Sequence, residues 1–325
     1  MASSLPLFLA IRRGDAETLA ALLAGKQIDV NAPKRTLGKT PLCSAASKRM
    51  VHIARALVDA GADPNKRTIT GATPLILAAN NGNADMVAML LAAGADPRIA
   101  NGRGLTPLHV GLGSVDCVAL LLAWSGADDA RVSLNARSAD GMTPLMIACA
   151  SRKIDAEIVR LLLDAGALHD IETSKSMCAL DFATSSVAKT RMLLDAGADV
   201  MHVDESGLTA LMRAIHARNA TLVKMFIDKT PAVVNVTCTE NDRPSPLTLA
   251  ACVGSARIAE MLIAAGAELE YEDSGGDTAF ACARIAKNAD VCSVLVSAGA
   301  SEREPAKRRR TGEQIPQALR TLLGL

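Results

Sequence analysis

The side chains able to do chemistry in this chain are eight cysteines and five histidines, set among acids and bases that nearly cancel. A catalytic site gathers a nucleophile, an acid–base pair or a metal in one cleft. The local patterns that build such sites are absent. The chain has no Gly-x-x-x-x-Gly-Lys phosphate loop, no His-Glu-x-x-His and no Gly-x-Ser-x-Gly. Gly102-x-Gly104 follows no strand pattern and reads as a turn. His52, His109, His169, His202 and His216 share no common spacing. No Cys-x-x-Cys pair or Cys/His cluster has zinc spacing. The expectation is a protein that is not an enzyme, takes no small-molecule substrate and needs no metal or other cofactor.

Composition narrows the class further. A net charge of +1 over 325 residues gives no reason to expect nucleic acid or a membrane surface as partner. Aromatics make up only 2% of the chain, too few for the stacking platforms that hold single strands. Cys43, Cys149, Cys252 and Cys282 sit at helix positions beside alanines, where a thiol serves as a small core residue. That usage fits a reducing compartment, so the expected location is cytoplasmic, nuclear or both. The most apolar long run, Leu247–Ala267, is broken by Arg257 and Glu260, and membrane insertion is not expected. The run Leu5–Ile11 lacks a preceding basic segment and reads as a helix rather than a secretion signal.

The elements that must position these residues recur. Thr-Pro-Leu-x stands at Thr40, Thr73, Thr106 and Thr143, with looser copies at Leu5, Cys178, Thr209, Ser245 and Thr278. The steps between copies are 35, 33, 33, 37, 35, 31, 36 and 33 residues. Five residues after each start lies a small residue: Ala10, Ala45, Ala78, Gly111, Ala148, Ala183, Ala214, Ala250 and Ala283. With the leucine three residues earlier they form an apolar stripe at helical spacing. Threonine caps the first free N–H groups, and proline suits the first turn. Gly14 and Gly82 fall where this helix should stop. A second helix follows, with cores such as Val87, Leu90 and Leu91. It ends at Gly61, Gly94, Gly126, Gly166, Gly197, Gly266 and Gly299, and at Thr230-Pro231 in the repeat without glycine. One such pair cannot bury its own apolar face, so neighbours must stack.

Gly-x-Thr-Pro-Leu followed by Ala-Ala, then Val-x-x-Leu-Leu-x-x-Gly-Ala-Asp, resembles the ankyrin repeat over roughly residues 5–301. The resemblance implies an all-α solenoid of about nine stacked helix-turn-helix repeats with projecting β-turn fingers. Only His109 keeps the family's histidine after the marker leucine, where it is expected to bond turn backbone. The repeats starting at Thr106 and Cys178 are each about two residues short between helices, and the Cys178 repeat departs most. The expected boundaries are a capping repeat over 1–34, eight repeats over 35–301, a basic linker over 302–312 and a capping helix over 313–325.

The resemblance further implies non-covalent binding of another protein by a chain that is monomeric in isolation. The contacts would lie on the concave face: finger tips and the exposed ends of first helices. The first three fingers hold seven basic and three acidic residues, and the next five hold four basic and fifteen acidic. Such polarity steers and orients a partner more than it supplies affinity. The candidate contacts are Lys34, Arg35, Lys39, Lys66, Arg67, Asn80, Asn81 and Arg103 early in the array. Later come Glu205, His216, Asp242, Glu270, Tyr271, Glu272, Asp273 and Asp277. Tyr271, the chain's one tyrosine, is the expected anchor. Lys307, Arg308, Arg309 and Arg310 form a basic run with the composition of a nuclear-import signal. The alternative function is therefore a nuclear regulator contacting nucleic acid or a transcription complex.

Overall fold

Six of the repeat starts behave as the caps their residue types predict. The hydroxyl oxygens of Thr40, Thr73, Thr143, Thr209, Ser245 and Thr278 each accept the amide N–H three residues on, at 3.1 to 3.3 Å. The structure, a computed structural model, describes residues 5–25, 28–34, 38–124, 134–237, 244–273 and 276–302. Among these the regular structure is entirely helical. The chain divides into two units, residues 1–168 and 169–325.

The first unit holds five helix pairs. They are α1 (Leu5–Arg13) with α2 (Ala16–Ala24), α3 (Pro41–Ser47) with α4 (Val51–Asp59), and α5 (Pro74–Asn80) with α6 (Ala84–Ala92). Then come α7 (Pro107–Val110) with α8 (Val115–Ala123), and α9 (Pro144–Ala150) with α10 (Ala156–Asp164). The second unit holds four: α11 (Ala179–Ala183) with α12 (Val187–Asp195), α13 (Ala210–His216) with α14 (Ala220–Lys229), α15 (Pro246–Val253) with α16 (Ala256–Ala264), and α17 (Ala279–Ile285) with α18 (Ala289–Ser297). Within each unit the first helices form one row and the second helices another. The shortening expected between the helices at Thr106 and Cys178 falls instead within the first helix: α7 has four residues and α11 five, where most first helices have seven.

The alanine stripe lies between first helices. Ala45, Ala78, Ala148, Ala183, Ala214, Ala250 and Ala283 have no exposed surface. A larger side chain there would force neighbouring helices apart, which costs about 1–3 kcal/mol in a packed core. At Gly111 even a Cβ is tight: it would come within 3.0 Å of the Pro107 carbonyl oxygen. Six second helices end as expected, and Gly126 lies outside the described residues. Gly61, Gly94, Gly166, Gly197, Gly266 and Gly299 take φ of 85 to 93°. The alanine after each glycine donates its N–H to a carbonyl five residues back at 2.9 Å, closing the last turn. The chain instead continues from α14 into a 3₁₀ turn at Pro231–Asn235.

Asparagines tie neighbouring repeats together. Asn31, Asn65 and Asn235 each donate Nδ2–H to the carbonyl of the helix-ending glycine of the next repeat. Their Oδ1 atoms accept the N–H of Asp63, Asp96 and Glu268. Each junction is thus held by paired side-chain bonds where the backbone offers no ladder. A similar economy replaces glycine at the ends of some first helices. Arg49 and Arg218 adopt positive φ of 62 and 53°, and each guanidinium donates to a carbonyl of the following repeat, that of Asn81 or Val253.

Candidate functional site

In the first unit, α1 and α3 leave a groove of about 410 Å³. Leu5, Phe8, Leu9 and Arg12 share one face of α1 because they are spaced at three and four residues. Leu5 is 58% exposed and Leu9 41%, the aliphatic surface at the mouth of this groove. Ser44 and Ser47 from α3, with Lys48 just past its end, form the other wall, and Lys34 and Lys39 close the end. The basic rim makes no ion pair among the described residues; Lys48 donates only to the Arg12 carbonyl, at 3.2 Å.

The other early candidates are divided between surface and scaffold. Lys66, Arg103 and Asn80 are exposed. Arg67 is exposed as well, but its guanidinium donates to the carbonyls of Gly71 and Ala100, at 3.1 and 2.6 Å, and so braces two adjacent fingers. Asn81 donates to the Ser47 carbonyl and is half-buried, so it too binds repeat to repeat. Trp124 is half-buried, with the Arg98 guanidinium 5.9 Å from its ring centre. Arg35 lies outside the described residues, as do Asp242 and the run Lys307, Arg308, Arg309 and Arg310.

In the second unit, Glu205, His216, Glu270 and Glu272 are exposed and Tyr271 is half-buried. Glu270 accepts the Ser301 N–H at 2.7 Å. Two expected surface acids are not on the surface. Asp273 is 7% exposed and Asp277 fully buried. The reason is the turn: the Asp273 carboxylate and carbonyl-facing N–H both pair with Asp277 backbone, at 3.0 Å. The same closure recurs at Thr68–Ala72, Ser138–Met142, Thr173–Met177 and Asp204–Leu208. Acid at this register is a turn residue, not a contact.

A polar cluster that no local motif announces lies around α11. Asp181 occupies the register of His109 and is 4% exposed. Its Oδ2 accepts the Cys178 N–H at 2.9 Å, and its Oδ1 lies 3.4 Å from Arg213 Nε. Arg213 also pairs with the buried Asp204. His202 Nε2 donates to the Ser176 carbonyl at 2.7 Å and lies 3.9 Å from Asp181 Oδ2. Burial pushes the Asp181 carboxyl above the ordinary 3.8, against the pull of the Cys178 N–H and Arg213. Burial, and the Asp181 charge after it, push the Cys178 thiol up to about 12. Cys178, Asp181 and His202 are the one trio among the described residues whose ligand atoms gather closely enough to hold a metal. Local spacing could not reveal it, because His202 comes from the following finger.

Capped, glycine-terminated helix pairs, stacked in two rows and tied by asparagines, define a helical-repeat solenoid whose chemistry is recognition by surface. The chain belongs to the ankyrin-repeat family. A family model of three ankyrin repeats matches residues 3–68, 113–204 and 185–273, and one of many copies matches 57–110. Human neurogenic locus notch homolog protein 1 is 30% identical over 194 residues, which are 55% of this chain and 8% of that protein. Human ankyrin repeat and KH domain-containing protein 1 is 36% identical over 87 residues, 27% of this chain and 3% of that one. The chain therefore spans less than a tenth of the curated relatives it matches. Among solved structures, the ankyrin repeat domain of Bcl-3, a member of the IkappaB protein family, aligns with a TM-score of 0.56 at 27% identity, over 63% of this chain and 92% of that one. The ankyrin repeat protein EF0377 aligns at 0.53 and 25% identity, over 60% and 98%. Ankyrin repeats are protein–protein interaction modules, and the fold is typically a non-catalytic scaffold. Among the described residues no helix is long and apolar enough to cross a membrane.

Proposed function

We propose that the chain is a scaffold, adaptor or regulatory subunit that binds a partner protein non-covalently through first-helix ends and finger tips. The observation that carries this reading is the α1–α3 groove, where exposed Leu5 and Leu9 lie beside Arg12, Lys34, Lys39 and Lys48. An apolar mouth offers contact that a partner can desolvate, and cations that make no ion pair among the described residues orient an acidic segment. The exposed acids of the second unit, with Tyr271, provide a separate surface of opposite sign. Because the stacked helices are already ordered, little entropy is lost when a partner docks.

The second reading, a nuclear regulator contacting nucleic acid or a transcription complex, draws on Lys307–Arg310 and has no support from the described geometry. The test compares the native chain with Arg12→Glu/Lys34→Glu and with Glu270→Lys/Glu272→Lys, each used to capture protein from the source cells. A stoichiometric partner of the native chain should bind about tenfold more weakly to one of the reversed forms at low salt, with the gap closing at high salt. Equal binding by all three forms would remove the charged surfaces from the mechanism. No partner for any of them would remove the interaction reading.

A further inference from the structure

The departures of one repeat from its neighbours meet in space. Cys178 stands where seven of the other eight repeats carry Thr or Ser. Asp181 stands at the register of His109, and His202 at that of Lys66, Ile99 and Tyr271. Substitutions at three separate registers bring a sulfur, a carboxylate oxygen and an imidazole nitrogen within 4.8 Å of one another. We propose that Cys178, Asp181 and His202 form a binding site for one divalent, borderline-soft transition ion, zinc foremost.

The donor set fits that choice. Thiolate, imidazole and carboxylate are the three protein ligand types of zinc, whereas a hard ion such as magnesium or calcium takes oxygen ligands. The surroundings orient the donors. Arg213 holds the far oxygen of Asp181, leaving Oδ2 to face the His202 ring at 3.9 Å. On the other side of the ring, Nδ1 lies 3.9 Å from Glu172 Oε1. When Nε2 takes the ion, its proton moves to Nδ1 and faces that carboxylate, an arrangement that fixes metal-bound imidazoles. The Cys178 S–H bond breaks, its electron pair forms the sulfur–metal bond, and its proton passes to solvent. Charge balance favours the exchange. Buried Asp181 and Asp204 face one guanidinium, so these three groups are short of one positive charge. A divalent ion with one thiolate supplies it.

Zinc bonds of about 2.0–2.3 Å set tetrahedral ligands roughly 3.3–3.8 Å apart, so the trio must close by about 1 Å. The His202 side chain, 20% exposed, has room to rotate. Water or the Ser176 carbonyl completes the four-coordinate shell. The site is independent of the partner-binding reading.

The test strips the full chain with a chelator and titrates it with cobalt(II), then zinc. The expected result is one cobalt per chain, with a thiolate-to-metal band in the near ultraviolet and the strong visible bands of four-coordinate cobalt, both erased by one equivalent of zinc. Cys178→Ser should abolish the thiolate band. His202→Ala should weaken binding by about 100-fold or more, beyond the usual effect of an outer-shell change. Cys292→Ser, a half-exposed thiol elsewhere, should leave the band intact. Asp181→Asn removes the buried charge and so guards against a folding failure; it should keep the band at reduced affinity. Absence of stoichiometric binding, survival of the band in Cys178→Ser, or its loss in Cys292→Ser would overturn the site.

Discussion

His109 and Asp181 stand at the same register of the repeat, three residues after the start, and solve the same problem in opposite ways. In the first unit, His109 Nδ1 accepts the Thr106 N–H at 3.1 Å and Nε2 reaches the Met142 carbonyl of the next finger at 3.1 Å. One neutral ring caps a helix and ties two repeats. In the second unit, Asp181 performs the cap through Oδ2 but has no donor to send onward. The onward link is instead an ion pair with Arg213, whose guanidinium lies between Asp181 and Asp204. A side chain that only accepts imports a buried charge, and the charge recruits a network. The neutral solution is self-contained, and the ionic one depends on every member.

The largest effect should come from breaking that dependence. Arg213→Leu leaves Asp181 and Asp204, both buried, without their counter-ion. Orphaning a buried charge costs about 3–5 kcal/mol, and the lower end is expected because the Arg213 side chain is 23% exposed. Hydrogen exchange at the amides of α11 and α13 should show protection falling there first. Removing His109 by His109→Gln should cost only about 1–2 kcal/mol, the loss of neutral bonds. Equal losses at the two sites would mean that the ionic network carries no more than the imidazole does.

The two junctions should also answer pH with opposite signs. Burial lowers the His109 pKa from its ordinary 6.5, so the folded chain keeps the ring neutral where the unfolded chain protonates it. Its contribution is complete above pH 6.5 and falls as pH drops below that value toward the folded one. Asp181 is shifted upward from 3.8, so the folded chain binds its proton more readily than the unfolded chain does. Its contribution is greatest below pH 3.8 and falls as pH rises through the folded value. For one proton neither slope exceeds about 1.4 kcal/mol per pH unit. Stability profiles of His109→Gln and Asp181→Asn, each subtracted from the native profile, should therefore tilt in opposite directions. Parallel profiles would remove the assignment of charge states.

What repeats could be read from the sequence, and what departs from the repeat could be read only in part. Hydroxyl caps, the alanine stripe and the terminal glycines recur at fixed offsets, so each copy corroborates the others. The shortening at Thr106 and Cys178 was visible as a missing pair of residues. The cluster at Cys178 was not, because its members sit at different registers of different repeats and only packing brings them together. Counting finger charges also overstated the acidic surface. Asp273 and Asp277 look like their exposed neighbours in sequence, yet the turn they close removes them from solvent. The α1–α3 groove shows the same limit from the other side. Lys34 and Lys39 were recognisable as finger cations, but their meeting with Leu5 and Leu9 depends on how α1 lies beside α3.

The smallest effect sharpens the comparison most. Cys178 stands at the start of α11 where Thr209 caps the neighbouring α13 through its hydroxyl, and sulfur is a weak acceptor beside a hydroxyl oxygen. Restoring the oxygen with Cys178→Thr should stabilise metal-free protein by about 0.5–1 kcal/mol, the usual worth of a cap. Urea unfolding after chelator treatment measures it. The gain should vanish or reverse once zinc is added, because the variant has exchanged a ligand for a cap. If Cys178→Thr is stabilised equally with and without zinc, the cysteine serves neither purpose, and the ionic network alone accounts for the departures of this repeat. If the variant is less stable even without metal, the thiol is packed for its volume, and the Thr209 cap is no guide to this junction.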